Sequence, residues 1–284
     1  MWNTKMCLGA MPDFGIPIED QIALFQKVGF EGFFTGYKNP EDIAKYRKVA
    51  DELGMMYQSV HAPHSTVDTM WQKGDAAKDT INLLIECLHA CADNYVPIMV
   101  THAFIGFFEE NIPTPEGIEN FGKVVREAEK CGVKVAFENT EGGEYTEALI
   151  EHFRDNDAVG FCWDTGHEMC YNRSKDMMAT CGDKIICTHL NDNLGIKDYN
   201  GTVTWRDDLH LLPFDGVGDW DDIVKRLIKY NFQGPLTFEL KLVKNTGTYE
   251  KMMYMQMPIE AYIAEIYKRA CRVATLKKKY EAMK

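Results

Sequence analysis

Five short apolar runs in this chain each end in a side chain able to bind a metal ion: Pro97–His102, Val133–Glu138, Val159–Asp164, Lys184–His189 and Pro235–Glu239. Runs of this length and composition read as buried strands. One such ending means little, because many strands meet water at a polar residue. Five constrain the fold, since the strands of a closed parallel barrel all end on one face and their terminal side chains converge on one pocket. The fullest example is Val159-Gly160-Phe161-Cys162-Trp163-Asp164-Thr165-Gly166-His167, where the strand gives way abruptly to a carboxylate, a glycine and an imidazole.

The intervening segments read as helices. Lys5–Met11 is a first strand, followed by a helix from about Pro17 to Val28, and Glu31–Tyr37 is a second strand. Asn39-Pro40-Glu41-Asp42 opens a helix with an Asn cap, a first-turn proline and acids at the positive end of the dipole, and Gly54 closes it. Met55–His61 is the third strand, and helices are expected over Ala76–Asn94, from Thr114 to Gly132 and from about Tyr145 to Arg154. A short helix over Asp176–Thr180, one over Asp219–Tyr230 and a long final one over Pro258–Lys279 complete the series, with strand eight placed at Gly234–Leu240. Alternation without a linker predicts an α/β fold: a single-domain (β/α)8 TIM barrel spanning residues 1–284. A doubly wound sheet is the alternative, but no G-x-G-x-x-G follows the first strand. Leu190–Asp219 is the longest irregular connection, and connections of that length are usually lids or binding loops.

The net charge of −12, from 31 basic and 43 acidic residues, disfavours a broad nucleic-acid surface. Nine cysteines without a C-x-x-C pair read as buried free thiols of a reducing compartment. With no basic-then-apolar leader and no apolar run of transmembrane length, the expectation is a cytoplasmic protein without membrane association.

The groups collected at strand ends and in the long loop are His61, His102, Glu138, Asp164, His167, His189, Asp208, His210 and Glu239. Mixed imidazoles and carboxylates suit zinc, manganese, iron or cobalt better than calcium or magnesium, which prefer all-oxygen sites. A lone His at a strand end is ordinarily structural, but a lone Glu there is costly to bury, and both Glu138 and Glu239 follow a Phe. His64 can face either way, while His89 and His152 lie within helices and read as surface or packing residues. Trp71, Phe107, Phe108, Trp205 and Phe214 fall in loops above the strand ends, where they either wall a sugar site or fold back onto the barrel rim.

The motifs His61-Ala62-Pro63, Glu138-Asn139-Thr140, Asp164-Thr165-Gly166-His167, His189-Leu190-Asn191-Asp192 and Asp208-Leu209-His210 through Asp219-Trp220, closed by Glu239, carry a family resemblance. The chain resembles the xylose-isomerase-like barrel superfamily, which holds sugar isomerases, ketose 3-epimerases, related dehydratases and the endonuclease IV group. The isomerase and epimerase branch implies one divalent ion, manganese or zinc first and cobalt or iron next, held by Glu138, Asp164, His189 and Glu239. It implies proton transfer by Glu138 and Glu239 through a metal-stabilised enediolate. His167 would bind a substrate oxygen, and His61 and His102 would position the far end of the sugar or hold a second ion. His210, Trp205 and Phe214 are the other expected substrate contacts. The expected partner is a small carbohydrate or polyol, phosphorylated or not, with a homo-oligomer left open.

The endonuclease IV branch implies a three-zinc centre, for which His61, His102, His167, Asp208 and His210 would be further ligands beside the quartet. Against abasic-site cleavage stand the short connection Gly36–Pro40, where those nucleases carry an arginine-bearing intercalating loop, and the acidic net charge. Phe214 replaces that family's usual glycine. A related dehydratase and a catalytically silent barrel that binds a sugar or a partner protein are the remaining alternatives.

Overall fold

The computed structural model describes residues 4–107, 112–196, 202–242 and 253–283. Eight parallel strands form one sheet in the order β7-β6-β5-β4-β3-β2-β1-β8. They are β1 Met6–Ala10, β2 Gly32–Gly36, β3 Met56–His61, β4 Ile98–His102, β5 Lys134–Glu138, β6 Val159–Asp164, β7 Ile185–His189 and β8 Leu236–Phe238. The barrel closes through a parallel bridge between Leu190 and Phe238, where the Leu190 amide donates to the Thr237 carbonyl at 2.8 Å. Around it run α1 Ile18–Val28, α2 Pro40–Leu53, α3 Lys78–Asp93, α4 Pro115–Cys131, α5 Gly143–His152, α6 Thr165–Met169, α7 Met177–Cys181, α8 Trp220–Lys229 and α9 Ile259–Glu281.

Local chemistry sets many of these boundaries. The Asn39 side chain accepts from the Asp42 amide with Pro40 in the first turn, and Gly54 ends α2 in the left-handed conformation at φ 65°. Thr114 caps α4 in the same way, and Gly132 ends it at φ 69°. Three differences from the sequence reading stand out. A 3-10 turn over Val67–Trp71 precedes α3, α6 follows β6 directly, and β8 is only three residues long.

Strand alternation divides the core in two. Met99, Phe137, Phe161 and Trp163 face outward and join the large apolar layer beneath the helices. Val100, Ala136, Cys162 and Cys187 form a separate cluster of small inward-facing side chains. Two residues further along the same four strands come His102, Glu138, Asp164 and His189. The polar site is therefore the next layer above an apolar one, on the C-terminal face of the barrel.

All nine cysteines are free, and seven of them are buried. Lys277, in the last turns of α9, is buried, with Nζ reaching Glu281 and the Thr4 hydroxyl. Among the described residues, no helix is long and apolar enough to cross a membrane.

Candidate functional site

Glu138, Asp164 and His189 are the last residues of β5, β6 and β7, and Glu239 lies one residue beyond β8. Strand register aligns them: His102 pairs with Glu138, and Asp164 with His189. One ligand atom from each of Glu138, Asp164, His189 and Glu239 lies within 4.8 Å of the other three. Three are wholly buried, and Glu239 is 7% exposed. His189 Nδ1 stands 2.9 Å from Glu138 Oε1 and 2.9 Å from Glu239 Oε2. Among the described residues, no lysine or arginine forms an ion pair with any of the four.

Second-layer groups hold this arrangement. The Asn139 side chain donates to the Asp164 carbonyl and accepts from the Asp164 amide, both at 2.8 Å, locking the end of β6 to the end of β5. Asp164 Oδ1 accepts from the His167 amide at 2.7 Å, so the carboxylate also caps α6. Asp164 Oδ2 accepts from Asn191 Nδ2 at 2.9 Å. A Cβ on Gly166 would fall 1.8 Å from Asn191 Oδ1, which explains a glycine between the capping Asp and His167. Asp192 anchors the long loop by accepting from the Phe214 and Gly218 amides and from Trp220 Nε1, each at 2.9 Å.

The electrostatics follow from burial and mutual contact. Burial opposes ionisation of Glu138, but His189, His61 and His167 outweigh it and hold the carboxyl well below its ordinary range. Glu239 is lowered for the same reason, with His189 and His210 overcoming burial. Burial likewise opposes the His189 imidazolium, yet Glu138 and Glu239 raise it well above an ordinary histidine. Asp164 is raised, chiefly by burial. Three converging carboxylates that raise the one imidazole among them form a donor set that suits a divalent cation.

A cavity of about 840 Å³ opens above the quartet, and His61, His102, His167, Asp208, His210, Trp205 and Glu239 all line it. His61 Nε2 is 3.1 Å and His102 Nε2 3.5 Å from Glu138 Oε2. His64 turns inward and stacks on His102 at 4.2 Å. His167, Asp208 and His210 form a second cluster of potential ligand atoms within 4.8 Å of one another. Trp205 is 68% exposed, at the cavity mouth.

Phe214 is placed elsewhere. It lies outside the cavity lining, with its ring against Trp220 at 5.3 Å and Arg272 over it at 3.7 Å, so the expected substrate contact is replaced by a packing role. Trp71 also folds back, donating from Nε1 to the Ala103 carbonyl at 2.7 Å and packing on Tyr145. Phe107 sits against Tyr171, and Phe108 lies outside the described residues.

Glu141, Tyr171 and Lys241 line the cavity without having been singled out as site residues. Glu141 is three residues past Glu138, its carboxyl raised chiefly by burial and its Oε2 buried without a hydrogen-bond partner. Tyr171 lies in the turn just past α6, its ring 4.9 Å from that of His167, a placement the sequence pattern does not signal. Burial opposes the charge of Lys241, but Asp208, Glu239 and Asp164 outweigh it.

Residues 22–256 match the model of the xylose isomerase-like TIM barrel family. The chain belongs to that family. The uncharacterized protein y4fM of Sinorhizobium fredii (strain NBRC 101917 / NGR234) is 33% identical over 120 residues, spanning 40% of this chain and 35% of that protein. Among solved structures, this family member is similar to an L-ribulose 3-epimerase, at TM-score 0.74 and 14% identity over 99% of this chain and 98% of the other. It is also similar to the IOLI protein, solved with a bound zinc atom, at TM-score 0.73 and 17% identity over 95% and 98%. A D-tagatose 3-epimerase-like protein gives TM-score 0.69 and 19% identity over 96% and 99%. At these identities the likeness establishes the fold.

Proposed function

We propose that this chain is a divalent-metal-dependent isomerase or epimerase of a sugar or sugar phosphate, with Glu138, Asp164, His189 and Glu239 as metal ligands. The observation that carries the reading is the buried quartet itself: three carboxylates and an imidazole converge beneath a cavity with no lysine or arginine paired to them among the described residues. The donor set fits manganese or zinc, with cobalt and iron also accommodated. The similar solved sugar 3-epimerases and the zinc atom of the IOLI protein support the choice of chemistry and ion.

A divalent ion in the quartet supplies Lewis acidity to adjacent carbonyl and hydroxyl oxygens, easing loss of the neighbouring carbon-bound proton. Glu138 and Glu239 approach the imidazole of His189 from two carboxylates, and they are assigned as the groups that remove and return that proton. His167 is assigned to a substrate oxygen, while His61 and His102 bind hydroxyls toward the far end. Trp205 supplies an apolar rim for the sugar, and the cavity volume suits a small carbohydrate or polyol.

The test is solvent proton exchange. Metal-loaded protein is incubated in D2O with ketoses, aldoses and cyclic polyols, and deuterium at carbon is followed by NMR. The expected result is incorporation into at least one compound, lost in Glu138→Gln and in Glu239→Gln. No incorporation across the panel would favour a silent binder, and incorporation unchanged in either variant would remove that glutamate from the assignment. The convergence of all nine potential ligands favours a second reading, a zinc-dependent abasic-site nuclease. Incision of abasic duplex that disappears in Glu239→Gln would put that reading first.

A further inference from the structure

The cluster His167, Asp208 and His210 has the build of a metal site of its own. His167 Nδ1 faces the Asn139 carbonyl at 3.0 Å, and His210 Nδ1 faces the Glu239 carbonyl at 3.1 Å. A carbonyl only accepts, so each Nδ1 carries hydrogen and each Nε2 is aimed elsewhere. Both turn toward one carboxylate: His167 Nε2 is 3.6 Å from Asp208 Oδ1, and His210 Nε2 is 2.7 Å from Asp208 Oδ2. Asp208 Oδ1 is buried with no hydrogen-bond partner. Two oriented imidazoles and an under-satisfied buried carboxylate form a ligand set that invites a cation.

One cation is already there. Lys241 lies two residues beyond Glu239, and its Nζ is 2.7 Å from His210 Nε2 and 3.5 Å from Asp208 Oδ2. An ammonium only donates, so Lys241 uses the His210 Nε2 lone pair, whereas Asp208 Oδ2, 2.7 Å from the same nitrogen, would accept its hydrogen; Nε2 serves one of the two contacts at a time. A single lone pair serves a single cation, and two positive charges in one small buried space repel strongly. Ammonium and metal ion are thus alternatives at this nitrogen.

We propose that Lys241 is a built-in cation that fills the His167–Asp208–His210 cluster and denies it to a metal ion, confining metal binding to the other ligands of the cavity. The proposal deepens the metal-dependent reading and rests on it for the neighbouring quartet. It also gives the cluster a different use: Asp208, Lys241 and His210 become a fixed hydrogen-bonding arm facing the cavity.

The test compares wild type, Lys241→Met, Lys241→Arg, His210→Ala and Lys241→Met/His210→Ala. Each full-length protein is stripped with a chelator, dialysed against the same zinc solution and analysed for zinc per chain, with cobalt absorption as a second readout. Lys241→Met should bind one more equivalent than wild type, and the double variant should return to the wild-type count. Lys241→Arg, which keeps the charge, should gain nothing. Equal zinc in wild type and Lys241→Met overturns the proposal, as does a wild-type count that falls in His210→Ala, since an ion would then already occupy the cluster. Circular dichroism checks folding, and Lys241→Gln carries the same comparison if Lys241→Met is unstable. A wild type that binds no zinc would sink the metal-dependent function, while a gain on removing Lys241 would stand independently of it.

Discussion

Two of the ligand clusters in the cavity, each of imidazoles and carboxylates, are built differently. Glu138, Asp164 and His189 end consecutive barrel strands, with Glu239 just past a fourth, so the rigid sheet fixes their spacing. His167, Asp208 and His210 come from a five-residue helix and the long loop after β7, held by backbone carbonyls and by Lys241. Among the described residues no lysine or arginine pairs with the first cluster, whose carboxylates raise the His189 imidazole, whereas Lys241 reaches into the second. On the proposed reading, ligand chemistry alone does not make a metal site, and the neighbouring charge decides whether an ion is taken.

The largest way to break this contrast is at Glu138 and Glu239, the pair proposed to transfer the proton. Glu138→Gln and Glu239→Gln keep shape and remove the base, so each should lower turnover by about 10²–10⁴-fold on a responsive substrate. Steady-state kinetics on metal-saturated protein separates this from lost metal.

Next come the groups that orient the quartet. Asn191→Ala removes the hydrogen bond to Asp164 Oδ2 and should weaken metal affinity by about 10–100-fold, measured by competition with a chromogenic chelator. The corresponding loss should be absent for Phe214→Ala, whose ring packs on Trp220 outside the cavity. Phe214→Ala should instead cost part of the about 3–5 kcal/mol typical of a buried Phe→Ala, read by denaturant unfolding.

The pH dependence of stability sharpens the contrast further. His189 is raised above its ordinary 6.5, so its contribution is complete below that pH and is lost as pH rises through the raised value. Glu138 and Glu239 are lowered below 4.5, so theirs is complete above that pH and is lost as pH falls through the lowered values. Metal-stripped protein should therefore be most stable between these limits and melt earlier under alkaline conditions. Manganese or zinc should remove the alkaline loss, because the ion displaces the His189 proton. Thermal melts of stripped and loaded protein across pH check the sign.

The smallest effect is expected at the rim. Trp205→Ala should raise KM a few-fold and leave stability within about 0.5 kcal/mol, as for an exposed side chain.

The barrel was legible because its strands are short apolar runs, and from β3 to β7 each ends in a polar residue that strand alternation carries onto the inner face. The quartet was legible for the same reason: its members are the marks. Residues placed by loops were harder. Phe214 has the character of a side chain that seeks burial, but hydrophobicity does not tell which side of the rim will bury it, and Trp220 and Arg272 take it outward. The helix after β6 was missed because Gly166 is a poor helix former. It forms because Asp164 caps it and Asn191 leaves no room for a Cβ, both tertiary facts. Lys241 appears in sequence only as a lysine near Glu239, and its contact with His210 depends on a loop that brings back a residue 31 positions away.

Elemental analysis of wild type and Asp164→Asn, each loaded with manganese or zinc and then dialysed, tests the central claim most directly. An amide is a far weaker ligand than a carboxylate, so wild type should retain about one equivalent in the quartet and Asp164→Asn should lose most of it while remaining folded. Full occupancy in Asp164→Asn, or a folded wild type that retains no divalent ion, would contradict the account.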